Sequence, residues 1–307
     1  MQFAVNKTDD GKLLRAFLRE CGVSAALLAR LKRREGGILL NGAPVTVRAV
    51  LHAGDTVELA LEDGAGESSV VPRDLPLDVL LKTEDFAVLN KPCDMPTHPS
   101  HGHFEDTLAN ALAYHFSTPQ QPYRPRFINR LDRNTTGAVL VASHALAAAV
   151  LSRAMAAGEI EKEYLALVHG ALTAPRRIEG GIRRREESII FREVCPVGEG
   201  EYALTLAEPL AWNDHFTLVR LCPQTGRTHQ LRVHMASIGH PLLGDDLYGR
   251  ADGFPRHALH AVTLAFPAPK TGERIRVFAP IPADMLQKIE ELGKEAVLLA
   301  KQESEAH

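Results

Sequence analysis

Three residues stand in settings that suit chemistry. Asp132 lies in Arg126-Phe127-Ile128-Asn129-Arg130-Leu131-Asp132-Arg133-Asn134-Thr135-Thr136-Gly137, an acid between two arginines with two more at Arg124 and Arg126. Flanking cations keep a carboxylate ionised and are also natural partners of a polyanion. Tyr164 sits near the start of an alternating run, Lys162 to Val168. Arg232 falls one turn inside a helix read from Leu231, Met235 and Ile238, beside the apolar stripe rather than opposite it. An arginine there needs an anion, because an unpaired buried charge is expensive. Arg227, at the helix start, is placed where a phosphate or carboxylate is welcome. A lone ionised Asp held by an Arg suits nucleophilic or single-base chemistry at a nucleic-acid base. A tyrosine face suits stacking on a base that has left its helix. Asp132 and Tyr164 also have bland readings: a surface ion-pair loop, and a core tyrosine with its hydroxyl at the rim.

Other chemistries find less support. No phosphate-cradling glycine loop, Gly-x-Ser-x-Gly elbow or Cys/His nucleophile pattern is present. His98, His101 and His103 have spacing that could ligate a transition metal, but no Asp, Glu or Cys partner recurs at a fixed offset. The four cysteines are scattered, which argues against a disulfide framework or zinc knuckle and fits a reducing compartment. The first residues lack a basic-then-apolar signal, and no apolar run approaches membrane-spanning length. A soluble cytoplasmic protein with no membrane partner is the expectation.

The elements that must position these residues can be read in outline. Asp132 would sit on a loop feeding a buried strand, Ala138 to Ala142. Before it come a strand at Asp85–Asn90 and an amphipathic helix at Thr107–Phe116. After it come a helix over His144–Ala157, capped by Gly158, and a strand over Glu161–Val168. That strand's period puts Tyr164, Ala166 and Val168 on one face and Glu163, Leu165 and Leu167 on the other. Thr217–Leu221 is a further strand, Thr228 is the expected N-cap of the Arg232 helix, and strands over Ala258–Phe266 and Arg274–Phe278 close the pattern. Arg183-Arg184-Arg185 reads as a charge run facing solvent by default.

The total charge of -3 hides an asymmetry: residues 11–48 carry eight Lys and Arg against two acids. A basic module on an acidic body suggests a polyanion-binding attachment. This stretch reads as two short helices, Gly36-Gly37, a strand at Ile38-Leu39-Leu40, an Asn41-Gly42 hairpin turn with a return strand at Pro44–Val47, and Gly54-Asp55 before Thr56–Leu61. That order resembles the αL-type RNA-binding domain named after a ribosomal small-subunit protein, implying RNA contacts from Arg15, Arg19, Lys32 and Arg33. The acidic, Gly- and Ser-rich stretch 63–74 reads as a linker. The expected organisation is therefore 1–62 RNA-binding domain, 63–74 linker, 75–290 catalytic domain and 291–307 polar tail.

Several ordered motifs resemble those of the RluA-type pseudouridine synthases: Arg130-Leu131-Asp132-Arg133-Asn134-Thr135-Thr136-Gly137, Lys162-Glu163-Tyr164-Leu165, Gly226-Arg227-Thr228-His229-Gln230-Leu231-Arg232, Gly239-His240-Pro241-Leu242-Leu243-Gly244-Asp245, Ala258-Leu259-His260-Ala261 and Asn90-Lys91-Pro92 with His98-Pro99. They span roughly residues 75 to 285. The resemblance implies an α+β protein: a pseudouridine synthase-like domain on a mixed, largely antiparallel sheet plus a small α+β RNA-binding domain. It implies isomerisation of uridine without metal or organic cofactor, by base flipping. Asp132 would be the catalytic aspartate, Tyr164 the stacking platform and Arg232 the salt-bridge partner of Asp132. Arg130 would enter the RNA stack, Leu242 would line the base pocket, and Arg227 and Arg133 would contact substrate. Whether the aspartate acts at the ribose or at C6 of the base stays open. Asn129 where many members have His, Asn134 for a frequent Asp and Asp94 for a usual Gly depart from the pattern and bear on substrate fit.

Two further readings stand beside this one: a catalytically silent RNA-binding factor on the same fold, and a metal-dependent nucleic-acid hydrolase using His98, His101 and His103. The basic module favours structured ribosomal RNA, of the large subunit, over transfer RNA as partner of a monomeric enzyme.

Overall fold

The computed structural model describes residues 1–61, 70–118, 123–186, 188, 190–250 and 252–305. In the N-terminal part, helix α1 (Leu14–Glu20) buries Leu14, Phe17 and Leu18, the helical spacing read from sequence. Ser24 caps α2 (Ala25–Arg33) by accepting from the Leu27 N–H, a contact of about 1 kcal/mol. Both helices pack on a four-stranded antiparallel sheet ordered β1-β4-β2-β3, from β1 (Gln2–Ala4), β2 (Ile38–Leu40), β3 (Ala43–Pro44) and β4 (Thr56–Leu59). Asn41 and Gly42 both adopt positive φ in the β2–β3 turn, as a two-residue hairpin requires. The return strand is shorter than expected and ends at Pro44.

The larger part is an 11-stranded sheet ordered β11-β10-β12-β13-β9-β14-β8-β6-β5, with β15 paired to β14 and β7 to β8. Its strands are β5 (Val79–Lys82), β6 (Phe86–Lys91), β7 (Arg126–Phe127), β8 (Thr136–Ala142), β9 (Glu161–His169), β10 (Arg176–Arg184), β11 (Arg192–Cys195), β12 (Glu201–Trp212), β13 (Phe216–Pro223), β14 (Leu259–Pro267) and β15 (Arg274–Phe278). Among the described residues only the β14–β8 pair is parallel, so the sheet is mixed and largely antiparallel, as expected. Five helices cover it: α3 (Leu108–Phe116), α4 (Ala145–Ala156), α5 (Gln230–Ser237), α6 (Ala283–Glu290) and α7 (Lys294–Ser304).

The central strands are buried on both faces. On β9, Tyr164, Ala166 and Val168 join one core with Leu131, Val139, Leu231 and Met235. Leu165 and Leu167 join another with Met285, Ile289, Ala296 and Ala300. The period-2 reading of this strand holds. All seven residues of β8 are buried, with Val139 and Val141 on the Tyr164 side and Leu140 and Ala142 against Leu151 of α4.

Three expectations change here. The C-terminal stretch after residue 291 is not merely polar: Ala296 and Ala300, four apart, are buried as α7 packs on the sheet, and Thr263 Oγ1 donates to the Glu303 carbonyl. Residues 176–212, read only as a charge run at Arg183–Arg185, form three strands. Of the expected linker, residues 63–69 lie outside the described residues, while residues 71–73 are tied to α3, Asn110 donating to the Val71 carbonyl and accepting from the Arg73 N–H through its own carbonyl.

Candidate active site

The Asp132 loop runs between β7 and β8 and is gripped from several sides. Thr97 Oγ1 donates to the Leu131 carbonyl at 2.9 Å and accepts from the Leu131 N–H. Lys91, fully buried, donates to the carbonyls of Pro92, Met95 and Arg133, each at 2.8 Å. Burial pushes its ammonium down to about 7. The buried guanidinium of Arg256 reaches the Asn134, His257 and Leu259 carbonyls while its other edge pairs with Asp284. Thr135 and Thr136 hydroxyls bond His257 and His260. Gly137 then enters β8 at φ +108°, where a Cβ would lie 2.2 Å from the Ala261 carbonyl oxygen, so glycine is required there.

This loop forms one wall of a cleft of about 720 Å³, with Tyr164 from β9, the 223–232 segment and the end of α4 as the others. Asp132 is partly exposed; its Oδ2 lies 3.6 Å from Arg232 Nη1 and 4.0 Å from His229 Nε2. Both separations are ion-pair rather than hydrogen-bond distances. Among the described residues no side chain donates a hydrogen bond to this carboxylate. Tyr164 lines the cleft, and burial, then the charge of Asp132, push its hydroxyl above its ordinary range. Asp132, Tyr164 and Arg232 thus converge from three motifs on one cleft.

Arg232 holds a second acid more tightly. Its Nε and Nη2 make a two-pronged contact with fully buried Asp245 at 2.8 and 2.7 Å. Burial works against the charge of Asp245, but the Arg232 bonds hold its carboxyl below the usual range. Sequence reasoning missed Asp245 as a partner, although it closes one of the motifs. It also missed His229, whose ring burial holds below its ordinary value, and Lys162, which lines the cleft one strand step from Tyr164 on the same face, about 7 Å along β9.

The remaining expected residues fall as follows. Arg130 is exposed at the cleft wall, with no carboxylate partner among the described residues. Arg227 also lines the cleft, its Nε donating to the Tyr202 carbonyl. Arg133 is committed to Asp94 at 2.5 Å. Arg15, Arg19, Lys32 and Arg33 are exposed on the N-terminal part and do not reach the cleft. Leu242 does not line the cleft. The 239–244 loop adds a rung to β9 through Val168, which buries Leu242 in the core, and Leu231 and Leu259 line the cleft instead. Thr228 does not cap α5; His229 is the N-cap, at φ 57° and ψ 16°. The Gln230 side chain meets the preceding turn instead, its carbonyl accepting from the Arg227 N–H and the Thr225 hydroxyl. Among the described residues, no group of three His, Cys, Asp or Glu side chains is placed to hold a metal. His98 packs edge-on against Phe127 and His103 pairs with Asp106.

Comparison with known proteins identifies the family. A family model described as RNA pseudouridylate synthase matches residues 85–237, which carry Asp132, Tyr164 and Arg232. An uncharacterized RNA pseudouridine synthase of Bacillus subtilis, YjbO, is 37% identical over 278 residues, covering 90% of this chain and 98% of that one. This chain belongs to the RluA-type RNA pseudouridine synthases. As a pseudouridine synthase it is an isomerase that acts on RNA. The "Ribosomal large subunit pseudouridine synthase D" of Vibrio cholerae is 37% identical over 282 residues, 86% of each chain. Among solved structures, human RNA pseudouridylate synthase domain containing 1 superposes with a TM-score of 0.56 at 30% identity, over 71% of this synthase and 86% of that chain.

Proposed function

We propose that this synthase isomerises uridines of large-subunit ribosomal RNA, with Asp132 as its catalytic residue. The observation that carries the reading is the convergence of Asp132, Tyr164 and Arg232 on one cleft wide enough for a flipped nucleotide. Tyr164 offers the stacking face for the base, and Arg232 places positive charge beside the carboxylate. Arg130, exposed and without an acid partner among the described residues, is the side chain that fills the gap left by the flipped base. Arg227 contacts substrate at the far side of the cleft. Arg133 meets phosphate only by leaving Asp94, so its role is secondary. The isomerisation breaks the N1–C1′ bond and forms C5–C1′ on the same ribose, with C5 giving up its proton and N1 gaining one, so the formula is unchanged.

The N-terminal residues 1–62, with exposed Arg15, Arg19, Lys32 and Arg33, supply a second RNA contact. The name of the Vibrio cholerae relative favours ribosomal over transfer RNA. The enzyme would work in the cytoplasm as a monomer; no helix among the described residues is long and apolar enough to cross a membrane. The test is to map pseudouridine in total RNA from a deletion strain carrying either the wild-type gene or Asp132→Asn. The reading expects large-subunit positions to lose the modification in the deletion and regain it only with wild type. Loss confined to transfer RNA would overturn the substrate, and restoration by Asp132→Asn would overturn the residue.

A further inference from the structure

His229 is a non-glycine residue held in the left-handed region at the N-cap of α5, where the backbone is ordinarily extended. Its side chain caps nothing. Strain of this kind persists only where the surroundings impose it, and here the imidazole is held at Nδ1 and faces the cleft acid with Nε2. Nδ1 lies 2.8 Å from the Tyr248 hydroxyl, and Nε2 faces Asp132 Oδ2 at 4.0 Å.

The hydrogen-bond pattern selects a tautomer. The Tyr248 oxygen already accepts the Arg192 backbone N–H at 2.9 Å. With Arg192 as its donor and no other acceptor in reach among the described residues, the phenol's one proton points to His229 Nδ1, which leaves the ring's own proton on Nε2, the nitrogen that faces Asp132. Tyr248 is itself fixed: its N–H donates to Asp245 Oδ1, its ring lies edge-on to Phe191, and the Arg232 guanidinium sits 5.2 Å from its centroid. The charged groups around the imidazole are Asp132, Arg232, Arg192 and Asp245, and burial keeps it below its ordinary value.

We propose that His229 is a positioning residue for Asp132: it presents its Nε2–H to Oδ2 of the carboxylate, in the tautomer set by Tyr248. In the open cleft the two are 4.0 Å apart; entry of the base closes the gap, as catalytic hydrogen bonds often tighten only around bound substrate. The donor then fixes which oxygen of Asp132 faces the reacting centre. No proton is transferred in this role.

The proposal rests on Asp132 being catalytic, and the test separates the two. The full-length protein is assayed by tritium release from [5-³H]uridine in an unmodified large-subunit ribosomal RNA transcript. His229→Gly removes the imidazole while relieving the positive φ, so folding is spared. Its kcat falls by about tenfold to a hundredfold, while KM, RNA affinity and the unfolding midpoint are held or the midpoint rises. His229→Gln, which retains an N–H of similar reach, recovers part of kcat, and Tyr248→Phe lowers kcat by a smaller factor. Wild-type kcat in either His229→Gly or Tyr248→Phe overturns the proposal, as does a loss shared between kcat and RNA affinity, which would make His229 a structural residue. Asp132→Asn is the control: if it is inactive and His229→Gly is not, this inference alone fails. If Asp132→Asn is active, the reading of the site itself fails.

Discussion

Arg232 gives two prongs of its guanidinium to Asp245 and only its remaining nitrogen, at 3.6 Å, to Asp132. The buried acid orients the arginine, and the arginine faces the cleft acid. Asp245→Asn removes the charge that balances a guanidinium only 4% exposed. It should destabilise the fold by about 3–5 kcal/mol, the range for breaking a buried pair, and depress kcat with it. Arg232→Lys should fold better than Asp245→Asn yet lose most activity, because a point ammonium cannot span both carboxylates. Urea unfolding alongside tritium release checks both; an Asp245→Asn protein as stable as wild type would sink the account.

Three buried histidines make the fold acid-sensitive. Burial pushes His234 and His260 down to about 4 and His257 to about 3. Their unfolded value is about 6.5, so between these limits the unfolded chain binds the extra protons. The stability involved is present above pH about 6.5 and is lost as pH falls through 4 and then 3. Carboxylates contribute to acid unfolding too, so the measurement is the slope of unfolding free energy near pH 5. His260→Gln should lower that slope by about 1.4 kcal/mol per pH unit, one proton. An unchanged slope would mean His260 is charged in the native state.

At the end of the Asp132 loop, Gly137→Ala would drive a Cβ into the Ala261 carbonyl and impose φ +108° on an L side chain. The expected cost is about 3 kcal/mol or more, read as a lowered unfolding midpoint with residual activity in whatever protein folds. A loss under about 1 kcal/mol would mean that β8 and β14 separate easily.

Lys91→Met leaves three carbonyls under the loop without their donor. At about 1–3 kcal/mol for each buried unsatisfied group, partly relieved by relaxation, a loss of about 3 kcal/mol is expected. The loop shifts as well, so kcat falls more than RNA affinity does. Equal effects on both would show that the lysine acts only on overall stability.

How much of this was legible in the sequence depended on whether the signal was local. The faces of β9 followed from strict alternation, and α4 followed from its alanine- and leucine-rich run. β10 to β12 escaped because arginines and paired glycines mask β10 and Pro209 sits at a bulge in β12. Asp132, Tyr164 and Arg232 stood out by charge or aromatic character within motifs. Asp245 did not, because its partner lies 13 residues away and only the fold brings them together. The Thr228 cap failed for a similar reason: the Gln230 amide donates across to Leu204 and Thr205 and His229 bonds Tyr248, contacts that only the fold supplies.

Helix α4 touches both ends of the molecule's work. Leu146 is buried in the core of the N-terminal part, and Val150 packs so closely under Gly22 that a Cβ there would lie 2.5 Å away. At its other end Met155 and Ala156 line the cleft. Twelve residues of α-helix measure about 18 Å, so α4 joins the N-terminal core to the cleft wall as a rigid rod. If residues 1–62 contact RNA as proposed, the enzyme works as a calliper: an RNA must offer its uridine at a set distance from the helix or loop held by Arg15, Arg19, Lys32 and Arg33. Geometry, rather than base sequence alone, would then decide which uridines it can reach.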